Sequence, residues 1–278
     1  MRTLIQPGPV HPRRIDSFRG HARRLTIAAP AGATLLAGLT APLVEAGFGA
    51  AVLRFAGAEV MPFRYVMPGP SPDGRHVAYF SAPRGANGRT RIVSAAATFG
   101  WNDSAPFLHT HAAWIESDGA RRGGHILNDE TILAAPVEAE AWGFGSLRIA
   151  MSHDEETNFS LFQPSGVSDP DGNAVLARVR PNQDIIAAIE AIAHAHGMAD
   201  ATIAGSVGSL VGTRFDDGRT VPDDATEVLV VSGTVRGGVA TLDLVSIDTN
   251  GCSHEGRIAR GANPVCITFD LVLLREAT

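Results

Sequence analysis

Residues 107–140, FLHTHAAWIESDGARRGGHILNDETILAAPVEAE, contain three of the ten histidines and are the stretch from which the fold can be predicted. Apolar and polar residues alternate from Leu108 to Ile115, which is the pattern of a half-buried strand. The dipeptide Asp118-Gly119 is typical of two-residue hairpin turns. The stretch therefore predicts a β-hairpin with histidines on both of its strands.

The histidines of this hairpin are His109, His111 and His125. Side chains alternate between the two faces of a strand, so His109 and His111 project from one face, about 7 Å apart along the chain. With a two-residue turn, His125 points to the opposite face. One extra residue in the returning strand, a β-bulge at Gly123-Gly124, brings it to the face of the other two. The hairpin is thus predicted to bring three imidazoles together.

Three neutral imidazoles with an open fourth position fit a Zn²⁺-type divalent metal site, and Ni²⁺, Fe²⁺ or Mn²⁺ fit the same donors. Ordinary hydrogen-bonded histidines on a polar sheet face are the alternative. On the next predicted strand, Glu138 and Glu140 point the same way. Glu138 is either an outer partner that orients a histidine, a general base beside bound water, or a surface glutamate.

The run LHTHAAWIESDGARRGGHI, residues 108–126, resembles the signature of the PPC (plants and prokaryotes conserved) family, in which an H-x-H strand, a D-G turn and a GGH segment follow one another. The resemblance implies a mixed α/β domain of roughly half this chain's length, usually assembled as a trimer. In plants this domain follows an AT-hook in nuclear DNA-binding proteins. In bacteria it usually stands alone, often with a provisional DNA-binding label.

Composition gives no basic field that would attract nucleic acid, because the formal net charge is -6. Any DNA contact must be local.

Two cysteines, Cys252 and Cys266, are too few for a disulfide framework, and they predict a reducing, cytoplasmic location. Cys252, His254 and Cys266 are an alternative set of metal ligands, although their spacing matches no standard zinc pattern.

Residues 1–24 form an Arg-rich arm in which six arginines face one acid, Asp16. The arm either contacts phosphates or an acidic partner, or it is a packing segment. It lacks the core of an AT-hook.

Residues 25–44 carry no charge, which raises the possibility of a membrane span. The corresponding segment of the second half is a charged amphipathic helix, so no membrane is predicted.

The second half of the chain repeats the first. Pro30 aligns with Pro181 at an offset of 151 residues, and Asp118-Gly119 aligns with Asn250-Gly251 at an offset of 132. The first copy thus holds about nineteen extra residues, mostly in the Pro/Gly-rich segment 67–87, which is either a lid or a tolerated insertion.

The offset of 132 also relates the histidines to residues of the second copy. His109, His111 and His125 correspond to Thr241, Asp243 and Arg257, which predicts an Asp243–Arg257 pair where the first copy has imidazoles. Two copies with one retained site indicate gene duplication followed by specialisation.

The sequence predicts a tandem α+β protein, in which each PPC-like domain is a mainly antiparallel sheet with a packed helix. The arm (1–24) precedes domain 1 (25–150), and a linker (151–173), whose His153–Glu156 run is predicted to be solvated, leads to domain 2 (174–278). The predicted function is an oligomerising binding protein, with trimeric or pseudo-threefold contacts, a metal or small-ligand site on the three histidines, and a role as a DNA-associated regulator left open. The alternative is a Zn-type enzyme acting on a small polar substrate.

Overall fold

Strands account for most of the fold. In the computed structural model, which describes residues 2–276, 52% of the residues lie in strands and 8% in helices. The predicted α+β class is therefore wrong, and the fold is mostly β. The physical reason is that the helices reach only 11 residues each, whereas parts of the predicted arm and linker pair with the sheets as additional strands.

The elements up to the predicted linker have the following bounds: β1 (Ile15–Gly20), β2 (Ala22–Ala29), α1 (Leu35–Glu45), β3 (Ala50–Phe55), β4 (Glu59–Val60), β5 (Arg64–Val66), β6 (Pro68–Gly69), β7 (Tyr79–Phe80), β8 (Arg84–Gly85), β9 (Thr90–Asn102), β10 (Ala105–Ile115), β11 (Arg121–Ile126), β12 (Val137–Phe144), β13 (Arg148–His153) and β14 (Ser160–Ser165). The remaining elements are β15 (Ala174–Val179), α2 (Ile185–Ala195), β16 (Ala201–Leu210), β17 (Thr213–Arg214), β18 (Thr220–Val221), β19 (Thr226–Arg236), β20 (Val239–Ile247), β21 (Ser253–Arg257) and β22 (Val265–Arg275).

Two mainly antiparallel sheets contain the same order of strands. The larger sheet runs β2-β12-β3-β9-β10-β11-β5-β8, with β4, β13 and β14 attached beside this path. The smaller sheet runs β1-β15-β22-β16-β19-β20-β21. The six strands from β2 to β11 in the first order thus match the six from β15 to β21 in the second, and a helix follows the first strand of each set.

The two sheets pack face to face, and each carries its helix on the outer side. Leu35 and Leu39 of α1 belong to one buried cluster, and Ile185 and Ile189 of α2 belong to another. A separate buried cluster joins β9 and β10 to the smaller sheet; its members are Ala96, Ala113, Val207, Leu229, Val245 and Ile247. His109 and His111 lie on the same face of β10 as Ala113, because they are four and two residues before it. Their side chains therefore face the smaller sheet.

A buried ionic network ties the predicted linker to the smaller sheet. The Oδ2 atom of Asp154 accepts hydrogen bonds from Arg178 at 2.9 Å and from Arg180 at 2.7 Å. Arg180 also donates to Asp16 of β1 at 2.9 Å. Asp154 is 4% exposed and Glu156 2% exposed, so the prediction that this run is solvated is wrong for both residues. Ion pairing to the two arginines is what makes the burial of Asp154 tolerable.

Neither α1 nor α2 is long and apolar enough to cross a membrane, and residues 2–276 contain no further helix that is.

Candidate metal centre

The hairpin of β10 and β11 brings the three histidines together. His111 lies directly opposite His125 in the antiparallel register, and His109 is two residues before His111 on the same face. One nitrogen of each ring lies within 4.8 Å of a nitrogen of each of the others. The predicted convergence of the three rings is therefore present, and the group can hold a metal ion.

The register that produces this convergence differs from the predicted one. The pair Ile115 and Arg121 closes the hairpin, so residues 116–120 form the loop, instead of a two-residue turn at Asp118-Gly119. Gly123-Gly124 pairs regularly with β10, and the irregularity lies on the other side of β10, where it pairs with β9. Both predicted details, the tight turn and the bulge at the glycines, are wrong. An odd-numbered loop corrects the face of His125 without a bulge.

The Gly-Gly pair has a packing role instead. A Cβ atom on Gly123 would lie 2.5 Å from the side chain of Ile247 in the smaller sheet, and one on Gly124 would lie 2.4 Å from the carbonyl oxygen of Val66. The Gly123 amide also donates to the carbonyl oxygen of Gly251 at 2.9 Å. Only glycine permits this close approach, which places His125 next to both neighbouring segments.

The smaller sheet supplies the hydrogen-bond partners of two of the rings. The Nδ1 atom of His111 lies 2.9 Å from the carbonyl oxygen of Val228, and the Nδ1 atom of His109 lies 3.3 Å from Oδ2 of Asp270. Both oxygens accept hydrogen bonds, so both Nδ1 atoms carry the proton in the neutral rings. The Nε2 atoms of His109 and His111 then present lone pairs to each other at 3.1 Å.

Facing lone pairs repel each other unless a cation lies between them. Two nitrogen ligands of a tetrahedral Zn²⁺ are about 3.3 Å apart, given bonds of about 2.0 Å, so the spacing of His109 and His111 fits such an ion. His125 adds a buried Nδ1 atom that has no hydrogen-bond partner. In His109 and His111, an outer nitrogen with a hydrogen-bond acceptor and an inner nitrogen that faces the other ring are the arrangement expected of metal-binding histidines.

Burial also keeps the rings in the form that binds metals. Desolvation, followed by the neighbouring histidines, holds the pKa of His111 well below its usual value. Desolvation, followed by the electrostatic effect of the neighbouring His109 ring, lowers the pKa of His125 to about 3. Both imidazoles are therefore neutral near pH 7, and a metal need not displace protons from them.

Two acids of the smaller sheet belong to the site. Asp270 is 3% exposed and contacts His109, while Oε1 of Glu227 lies 3.7 Å from Nε2 of His111. Desolvation raises the pKa of Glu227 to about 8, and its Oε2 atom is buried without a hydrogen-bond partner. Sequence reasoning missed both acids. The available signal was that each is the one acid of a strand with many apolar residues, where burial of a charge needs a reason.

Two cavities adjoin the histidines. One, of 80 Å³, is lined by His109, His111 and Glu227, and the other, of 200 Å³, by His109, His125 and Asp270. The Pro/Gly-rich insertion, residues 67–87, contributes Phe80 to both cavities, and the Phe80 ring centre lies 5.3 Å from that of His125. The insertion thus forms part of the wall of both cavities beside the histidines.

Other residues singled out in the sequence lie elsewhere. Glu138 is exposed on β12 and lines a different cavity, between Arg24 and Arg54, so the structure does not bring it to the imidazoles. Within residues 2–276, the three histidines are the one group of His, Cys, Asp or Glu side chains that lie close enough to share a metal. Cys252 and Cys266 are free thiols outside it.

The predicted ion pair of Asp243 and Arg257 is present in the smaller sheet. Asp243 lies opposite Arg257 in the register of β20 and β21, and the two side chains approach to 3.2 Å. This pairing matches that of His111 with His125 in β10 and β11. The prediction of an Asp243–Arg257 pair is confirmed.

Comparisons with known proteins give structural likenesses only. No family model and no curated protein matches the sequence. A PPC protein from Pyrococcus horikoshii is 16% identical with a TM-score of 0.42, over 51% of this chain and 91% of its own. A metal-containing protein from Archaeoglobus fulgidus is 20% identical with a TM-score of 0.43, over 52% of this chain and 97% of its own.

A third similar structure, from Bacteroides thetaiotaomicron, is provisionally named as DNA-binding. It is 12% identical with a TM-score of 0.40, over 54% of this chain and 98% of its own. One neighbour thus belongs to the family that the histidine stretch resembles. At these identities and TM-scores, function has to be argued from the site itself.

Proposed function

We propose that this protein binds one divalent metal ion of the zinc type through His109, His111 and His125, and that the ion and the adjoining cavities bind a small ligand. The observation that carries the proposal is the pair of facing Nε2 atoms at 3.1 Å, whose Nδ1 atoms are already engaged by Val228 and Asp270. The ion would supply a positive centre with an open position toward the cavities.

The site is proposed to lie within a tandem organisation, with repeated units at residues 25–150 and 174–278. The matching strand order of the two sheets and the matching register of His111–His125 and Asp243–Arg257 support this organisation. In it, the first unit provides the three histidines and the second provides the hydrogen-bond acceptors of His109 and His111. Trimeric assembly, which the family resemblance implies, stays a prediction.

A DNA-associated role gains little support from the arm. Arg2 pairs with Asp224, Arg14 with Glu156, and Arg24 with Glu140. Arginines held by acids of their own chain are poor partners for phosphates, because each new contact must replace an existing one. The small-ligand site is therefore the better-supported function.

Elemental analysis of untagged protein tests the metal site. Wild-type protein is expected to retain about one metal per chain, and the His109→Ala/His111→Ala variant is expected to retain none. His153→Ala/His194→Ala is a matched control, because both of these histidines are exposed and lie outside the group. Equal metal content in wild type and the His109/His111 variant would refute the site.

A metal-dependent enzyme is the second candidate, and Glu227 is the observation that favours it. Its carboxyl group lies beside His111 in a cavity, where it can hold or take up a proton next to a metal-bound substrate. If the protein hydrolyses small esters, Glu227→Gln is expected to abolish turnover and retain the metal. Unchanged turnover in this variant would remove Glu227 from the mechanism.

A further inference from the structure

The cavity of 200 Å³ differs from its smaller neighbour in volume and lining. We call it the aromatic lobe; its walls include Phe107, Met151, Phe159 and Phe162, and His109 and His125 lie at its edge. The two cavities share Phe80, His109, Phe159, Leu161 and Thr268, so both open around the same imidazole. A ligand on the histidines can therefore extend into the lobe.

The walls of the lobe suit a flat apolar group. The rings of Phe107 and Phe162 meet edge to face, with centres 5.9 Å apart, and Phe162 is also edge to face with His109 at 6.5 Å. Aromatic rings prefer such contacts, and the thioether of Met151 packs well against ring edges. A dry cavity of 150 Å³ holds benzene in another protein, so 200 Å³ is enough for a phenyl ring.

The charge of the site selects the head group. Three neutral imidazoles add no negative charge to a bound divalent ion, which favours an anionic ligand at its open position. The one acid that lines the lobe, Asp270, is 3% exposed and already faces Nδ1 of His109. Glu227, whose Oε1 lies 3.7 Å from Nε2 of His111, lines the smaller cavity and not the lobe.

We infer that the aromatic lobe receives an aromatic carboxylate, with its ring among Phe107, Met151 and Phe162 and its carboxylate at the histidine-bound metal. The inference rests on the proposed metal site. It adds a ligand class, because a metal site by itself would accept any small carboxylate.

Titration calorimetry with benzoate and acetate distinguishes the contribution of the ring to binding affinity from that of the carboxylate. The metal-loaded protein is expected to bind benzoate at least about tenfold more tightly than acetate, since burial of about 60 Å² of ring surface gives a factor of this size. Removal of the metal with a chelator is expected to abolish binding of both. Equal affinity for the two probes would overturn the inference.

A pair of serines on β14 provides a matched variant and control. Ser160 lines the lobe and Ser165 does not, and both are exposed. Ser160→Phe is expected to fill the lobe, abolish the preference for benzoate and leave metal content and acetate binding unchanged. Ser165→Phe is expected to behave as wild type.

The outcomes also separate this inference from the metal site on which it rests. Metal content is measured first, and wild-type protein without metal would refute the metal site and the ligand class together. Bound metal with equal affinity for benzoate and acetate would refute the ligand class alone, and a benzoate preference that survives Ser160→Phe would refute the placement of the ring in the lobe.

Discussion

At the scale of single residues, the chemistry of the site depends on Asp270 as much as on the ligands. Its carboxylate faces Nδ1 of His109 from the smaller sheet and fixes which ring nitrogen is free for a metal. An acceptor of this kind orients the ring and makes it a better donor to the ion. Asp270 is therefore expected to contribute to metal affinity without contacting the metal.

The role of Asp270 is tested by Asp270→Asn. The amide is a weaker acceptor, and metal affinity is expected to fall by about tenfold or more. Competition with a chromophoric chelator measures this change. Asp243→Asn is the control, because Asp243 pairs with Arg257 away from the histidines. Wild-type affinity in the Asp270 variant would show that the contact does not tune the ligand.

Glu227 makes a distinct prediction for stability against pH. Its pKa is about 8 in the folded protein and near 4.5 when unfolded, so folding takes up a proton between these values. Its effect is that stability falls as pH rises through this window. The glutamine in Glu227→Gln does not titrate. As pH rises through this window, the free energy of unfolding of the variant is therefore expected to increase relative to that of wild type by up to about 1.4 kcal/mol per pH unit.

Urea unfolding of the metal-free protein at pH 5 and pH 7.5 measures the Glu227 effect. The other titrating groups, including His111 and His125, are common to both proteins and largely cancel in the difference. A constant difference between variant and wild type at the two pH values would contradict the raised pKa of Glu227.

At the scale of elements, the hairpin shows what local sequence can and cannot predict. The shared face of His109 and His111 follows from the two-residue period of a strand, and it was predictable. The position of His125 depends on the length of the loop at residues 116–120, which local composition does not determine. Asp270 and Glu227 were not predicted, because they reach the site through the docking of two sheets.

The glycine contact between the sheets can be tested by substitution. A Cβ atom on Gly123 would meet Ile247 at 2.5 Å, so Gly123→Ala is expected to destabilise the protein by about 1–3 kcal/mol. Adding Ile247→Ala makes room for the new methyl group. The double variant should therefore lose less stability than the sum of the single variants. Additive losses in urea unfolding would mean that the two side chains do not meet.

At the scale of the whole molecule, the buried ionic network joins the predicted linker to β15. Asp154→Ala would leave Arg178 and Arg180 without their shared acceptor, and Arg178 is fully buried. The free energy of unfolding is expected to fall by about 3–5 kcal/mol, the usual effect of breaking a buried ion pair. Denaturant unfolding measures this loss.

The control for Asp154 is its neighbour. Glu155 is exposed, and Glu155→Ala is expected to change stability by less than about 0.5 kcal/mol. Similar losses in the two variants would assign the effect to the chain segment instead of the ion pairs. The network escaped prediction because four adjacent polar residues look solvated until the arginines of a distant strand are placed beside them.

The acceptor for His111 is a main-chain carbonyl, that of Val228. Every amino acid offers the same oxygen, so no exchange of the side chain at this position can delete the bond. Substitutions can therefore accumulate over most of the surface of the second half of the chain while the hydrogen bond from His111 to this carbonyl is retained. A slip of β19 by one residue along its neighbours would break the contact, and such a slip would turn every side chain of that strand to the other face. Part of the site thus depends on the path of the backbone and not on the identity of the side chain at position 228.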